Sequence, residues 1–185
     1  MDRNMITPAA HAKAAITFRN SRFNLLLLVA FTLVNIIQIV TGSDTYFLFS
    51  ATVPYYLAFF GMLLTGHLPD AVPEGQQIEF LPDSLLVVML VIAAAILLLY
   101  LLFFFLSKKH FGFLIAALAF FAIDCIYMLY TVFSTGFEVS SLIDIAFHGW
   151  VLYYLISGVI AGVKLRKPVM PIEEAVAGTE GQNQQ

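Results

Sequence analysis

Five long apolar runs decide what this chain can become. Four of them, roughly 23–41, 84–106, 111–133 and 142–163, are long enough to cross a hydrocarbon core of about 30 Å as helices rising about 1.5 Å per residue. With 61% apolar and 11% charged residues in 185, the chain has too little polar surface to coat a soluble globule, so these runs are membrane spans rather than one buried core. The expected class is all-α: a polytopic helical bundle in a single membrane-embedded domain, 23–167.

The fifth run, 45–66, is as long as the others, and the cations decide how to read it. All nine Lys and Arg fall in three clusters: Arg3, Lys13, Arg19 and Arg22; Lys108 and Lys109; Lys164, Arg166 and Lys167. If 45–66 makes no net crossing, all three clusters lie on one side, and retention of positive charge makes that side cytoplasmic, with both termini. If it crosses, the clusters divide. Pro54, near the middle of the run, removes a backbone hydrogen bond and favours a break. The expectation is therefore four full spans plus a re-entrant or broken fifth hydrophobic helix, the alternative being five full spans. Non-helical backbone at that depth needs protein or a water-filled cavity around it.

The flanks read differently. Thr7 and Pro8 resemble a helix cap and first turn, and residues 1–22 suit a cytoplasmic interfacial helix or tail. Residues 67–83 carry acids and prolines without Lys or Arg and form a loop on the side opposite the cations. The turn 107–110 joins its two spans as an antiparallel hairpin. From Pro168 to 185 the chain is polar and is expected to be a disordered cytoplasmic tail. The first apolar run is too long for a cleavable leader and should stay as an anchor. The short loops suit a bacterial cytoplasmic membrane.

Polar side chains inside spans are the candidate functional residues, because each costs free energy unless paired, hydrated or useful. Asn35 and Gln38 share a face of the first span, Asp124 lies within the third, and Asp144 and His148 share a face of the fourth. Counting rises from the expected span ends puts His148 and Asn35 about 9 Å deep, Gln38 and Asp144 about 3 to 5 Å, and Asp124 about 14 Å. All five then fall in the half away from the cations, and converging faces would line a polar ligand or ion pocket with 45–66 as its lid. Each also has a plainer reading: a neutral Asp124 making one interhelical hydrogen bond, a local Asp144–His148 contact, and Asn35 and Gln38 as packing glue.

Close packing has its own marks. Gly158 and Gly162 form a G-x-x-x-G pair, and Gly112 with Ala116 repeats the small-residue spacing, both read as intramolecular packing more readily than as a dimer seam. The single cysteine, Cys125, has no internal disulfide partner. No cofactor is implied. Histidines His67 and His148 with Asp70 and Asp144 lack metal-ligand spacing, no nucleotide-binding or hydrolase motif is present, and Asp124 and Asp144 lie at depths too different for a shared-proton dyad.

The reading that follows is a non-enzymatic integral membrane protein that binds or translocates a small solute or ion, on its own or as a subunit of a larger complex. The alternatives are a structural or interaction subunit without a ligand and, further off, a membrane-embedded enzyme. The expected partners are the lipid bilayer and either another protein or a second copy of the chain; nucleic acid is not among them.

Overall fold

Thr7 starts the first helix as its sequence suggests: in extended backbone, its hydroxyl accepts a hydrogen bond from the Ala10 N–H at 3.3 Å, and Pro8 fills the first turn, where no N–H is needed. The computed structural model describes residues 5–43, 49–72, 79–137 and 139–171. Helix α1, Pro8–Val40, runs 33 residues without interruption, so residues 8–22 continue directly into the first span. Its length of about 50 Å exceeds the hydrocarbon thickness.

Helix α2 is Thr52–Leu64, α3 Asp83–Leu106, α4 Gly112–Thr135 and α5 Val139–Lys164. Four of the five helices among the described residues, α1, α3, α4 and α5, are long and apolar enough to cross a membrane. The 13 residues of α2, about 20 Å, are not. Large apolar side chains such as Val91, Leu98, Phe105, Ile126 and Phe133 point outward, which suits a bundle whose surrounding solvent is hydrocarbon. The chain is a multi-pass helical membrane protein.

One end of the bundle gathers the cations. Arg22 on α1 reaches the end of α3, its Nε donating to Ser107 Oγ at 2.9 Å and its Nη2 to the Phe104 carbonyl at 2.8 Å. Phe18, Lys108, Lys109 and Arg166, from α1, the α3–α4 turn and the residues after α5, line one cleft. Ile6 and Val169 form an isolated parallel bridge, with Ile6 N donating to the Pro168 carbonyl and Met170 N to the Ile6 carbonyl, each at 2.9 Å. Of the segment 168–185, residues 172–185 lie outside the described residues.

The fifth run dips and returns. After α1 ends at Thr41 and Gly42 turns with φ +68°, the chain is back inside the bundle by Ala51, whose N–H donates to Thr32 Oγ1 at 2.8 Å. Thr32 is about 14 Å below the end of α1. Helix α2 then climbs to the end it came from, where Leu81 N donates to the Leu64 carbonyl and His67 meets Asp83 at 3.1 Å. Gly61 lets it lie against Leu86 and Met89 of α3. The element is re-entrant, and five full spans are excluded. Pro54 accompanies the break from inside the first turn of α2, where a missing N–H is harmless.

The core lies where α1, α3, α4 and α5 meet, around Leu25, Leu28, Tyr100, Leu114, Phe121 and Leu155. On its cation side α1 and α5 close tightly. Ser21 Oγ donates to the Tyr154 carbonyl at 2.6 Å, and a Cβ on Gly158 would overlap the Ser21 side chain. A Cβ on Gly162 would come within 2.7 Å of the Phe111 ring. Gly112 faces open space, and Ala116 is half-buried.

Candidate functional site

A helix that starts inside a membrane must place its first N–H groups somewhere, since no water is available to receive them. For α2 the account closes. Ala51 N–H goes to Thr32 Oγ1 at 2.8 Å. Thr52 N–H goes to Asp124 Oδ2 at 2.9 Å and Val53 N–H to Asp124 Oδ1 at 2.8 Å. Pro54 has no N–H, and Tyr55 N begins the helical ladder on the Ala51 carbonyl. Asp124 of α4 thus caps the half-helix through both carboxylate oxygens, at the positive end of its dipole.

His148 of α5 completes the cluster. Its Nδ1 lies 2.8 Å from the Asp144 main-chain carbonyl, which can only accept, so Nδ1 carries hydrogen. Nε2 then faces two oxygens, Thr52 Oγ1 at 3.0 Å and Asp124 Oδ2 at 3.2 Å. With Nε2 bare, it accepts the Thr52 hydroxyl proton; with Nε2 protonated, it donates toward the carboxylate as an imidazolium. One proton position therefore exists between Nε2 and Oδ2. The Phe121 ring stacks on the imidazole at 5.5 Å, nearly parallel at 9°, and Phe147 meets it edge-on at 5.9 Å.

Burial is nearly complete: Asp124 is 3% exposed, His148 2% and Asn35 0%. Asn35 lies one turn beyond Thr32 on the same face of α1. Asp124, His148 and Thr52 form one hydrogen-bonded cluster, and the N–H groups of Thr52 and Val53 occupy both carboxylate oxygens. Gln38 is half-buried, and its Oε1 is a buried side-chain acceptor without a hydrogen-bond partner. Asp144 engages His148 through its carbonyl rather than as a carboxylate–imidazole pair. Among the described residues no group of three or more His, Cys, Asp or Glu is placed to hold a metal ion. His67 pairs instead with Asp83.

Depth explains why Asp124 and His148 meet. Helix α5 starts at Val139, three residues before the apolar run suggests, which lowers His148 to about 14 Å, level with Thr32. Thr32 and Thr52 belong to the site although hydropathy passes over both. The available signals were Thr32 three residues before Asn35, and Thr52 two before a proline that suits a helix's first turn. Beside the cluster, an apolar groove of about 510 Å³ opens between α1 and α5, lined by Phe31, Phe49, Leu142, Phe147 and Trp150 among others. Phe147 is its wall toward His148.

The chain matches no protein-family model, no curated protein and no solved structure.

Proposed function

We propose that this membrane protein binds a proton at the Asp124–His148 pair and that the position of that proton sets how firmly the re-entrant helix is seated. The observation that carries this reading is the 3.2 Å separation of His148 Nε2 and Asp124 Oδ2 at the base of a half-helix, with Nδ1 already committed to the Asp144 carbonyl. When the proton is on His148, the carboxylate stays ionised and grips both N–H groups of α2. When it moves to Asp124, the cap loses its charge, and charge-assisted bonds worth about 1.5–3 kcal/mol each weaken toward ordinary ones. Loosening α2 opens a path from the acidic end of the bundle to its centre, along which a small solute or ion is bound or moved.

The cation end faces the cytoplasm in this reading, with the segments before α1 and after α5 on the same side, because Lys and Arg resist translocation. A second reading, a structural subunit without a ligand, draws on one observation: capping α2 is already a sufficient reason for a buried Asp124.

The test is nitrogen NMR of the His148 imidazole in the protein reconstituted in lipid, titrated across the acidic to mildly alkaline range. His148→Asn assigns the signal among the four histidines. A protonation step at His148 that moves in Asp124→Asn, accompanied by a change in hydrogen exchange at Thr52 and Val53, supports the proton-linked clamp. A ring that holds one protonation state throughout leaves the structural reading.

A further inference from the structure

Where the spans leave the hydrocarbon at the cation end, α1, the α3–α4 turn and the residues after α5 enclose a cleft of about 220 Å³. Lys108, Lys109 and Arg166 stand around it with His110, and Phe18 and Phe111 form an apolar side. The ion pairs among the described residues are His67–Asp83 and His148–Asp124, so none of these three cations has a carboxylate partner there. Arg166 is nonetheless held in place, its guanidinium carbon 4.1 Å from the centre of the Phe111 ring. Stacking on a ring leaves the guanidinium edge free to donate.

The walls are built rather than incidental. Arg22 does not serve the cleft as a free charge, because its fork is used on Ser107 and Phe104, which ties α1 to the end of α3. Gly162 is buried beneath it, and any side chain there would push into Phe111 and crowd Phe18. Positive charge from three side chains, one of them held on a ring, an adjoining aromatic surface and a position at the ends of α3 and α5 match one kind of molecule. It carries an anionic phosphate at headgroup depth and an apolar chain beside it.

We infer that this cleft binds the phosphate of an anionic phospholipid, through Lys108, Lys109 and Arg166, with the acyl chain lying against Phe18 and Phe111. The site is independent of the Asp124–His148 pair. Free inorganic phosphate offers the same chemistry without the chain, and the test also separates the lipid from the acids of the following segment, Glu173 and Glu174.

The experiment is native mass spectrometry of the full chain released from phosphatidylcholine nanodiscs containing a minor fraction of phosphatidylglycerol, counting retained lipid of each kind. The wild type is expected to retain phosphatidylglycerol selectively. K108Q, K109Q and R166Q should each weaken that retention about fivefold, the effect of removing one cation near an anionic surface. R166K, which keeps the charge and loses the stacked plane, should fall between R166Q and wild type. K13Q, on the same end but outside the cleft, should match wild type, and circular dichroism checks that every variant keeps its helices. Equal losses in K13Q and R166Q would reduce the effect to diffuse surface charge and overturn the site. Displacement of the lipid by inorganic phosphate at comparable concentration would overturn the assignment to lipid. Retention that appears only in E173Q/E174Q would assign the cleft to the acidic segment and overturn it as well.

Discussion

Val53 and Asp124 lie 71 positions apart in the chain and 2.8 Å apart in space, where a backbone N–H at the start of α2 donates to a carboxylate oxygen of α4. The contact makes a side chain of one membrane span part of the secondary structure of another element. Replacing Asp124 by Asn retains size but leaves one acceptor for two donors, since the amide nitrogen of Asn must face one of the N–H groups. D124N is expected to lose about 1–3 kcal/mol of stability, the cost of an unsatisfied buried donor. Thermal unfolding in detergent measures it, and amide exchange should accelerate at Thr52 and Val53 while the core of α3 stays protected.

The Ser21–Gly158 approach gives a steric prediction. G158A places a methyl into the Ser21 side chain and within 2.9 Å of Leu114, an overpacking that typically costs about 1–3 kcal/mol. G112A, facing open space, should leave the unfolding midpoint where it is. In S21G/G158A the loss should be smaller than the sum of the two single changes, because both obstructing atoms of Ser21, Oγ and Cβ, are gone. A G158A protein as stable as wild type would mean that α1 and α5 do not meet as closely as described.

Arg22 tests whether charge or shape fastens α1 to the end of α3. A lysine keeps the cation but cannot present Nε to Ser107 and Nη2 to Phe104 together. R22K is therefore expected to recover little of the stability lost in R22A. That loss should be about 1–2 kcal/mol for two hydrogen bonds at a half-buried site. Chemical or thermal unfolding of the two variants side by side decides the point.

Sidedness is open to direct measurement in cells. In a Cys125→Ser background, D70C and K109C are exposed single cysteines at opposite ends of the bundle. A membrane-impermeant maleimide applied to intact cells should label D70C and spare K109C, with K109C labelled once the membrane is opened. The reverse pattern would invert the orientation argued from the cations.

Much of the fold was legible because hydrocarbon is a demanding solvent. Long apolar runs have few alternatives to helices, and Pro54 together with the one-sided cations singled out the run that turns back. The residues of the site were partly legible for the same reason: Asp124, His148 and Asn35 stand out against an apolar background, all three are buried, and the first two are in contact. Their relation was not legible. Nothing in the order of residues says that Asp124 would be engaged by the N–H groups of a helix start, because backbone donors have no letter in the sequence. Thr32 and Thr52 escaped because threonine is unremarkable in a span, its hydroxyl being able to bond back to its own helix, as Thr32 does to Leu28 at 2.7 Å. His148 was placed too shallow because α5 begins at Val139 and takes in Ser140 and Ser141 ahead of the long apolar run.

The pairing of Ile6 with Pro168 and Met170, together with the long seam between α1 and α5, sets an order of assembly. During synthesis α1 enters the membrane first and its principal neighbour last, so Ser21 must wait beside lipid or transient partners until the Tyr154 carbonyl of α5 is made. Asp124 and α2 can meet earlier, when α4 arrives, but the imidazole that lies against them comes only with the final span. A ribosome stalled just short of α5 would thus hold a bundle with its cap in place and its histidine missing.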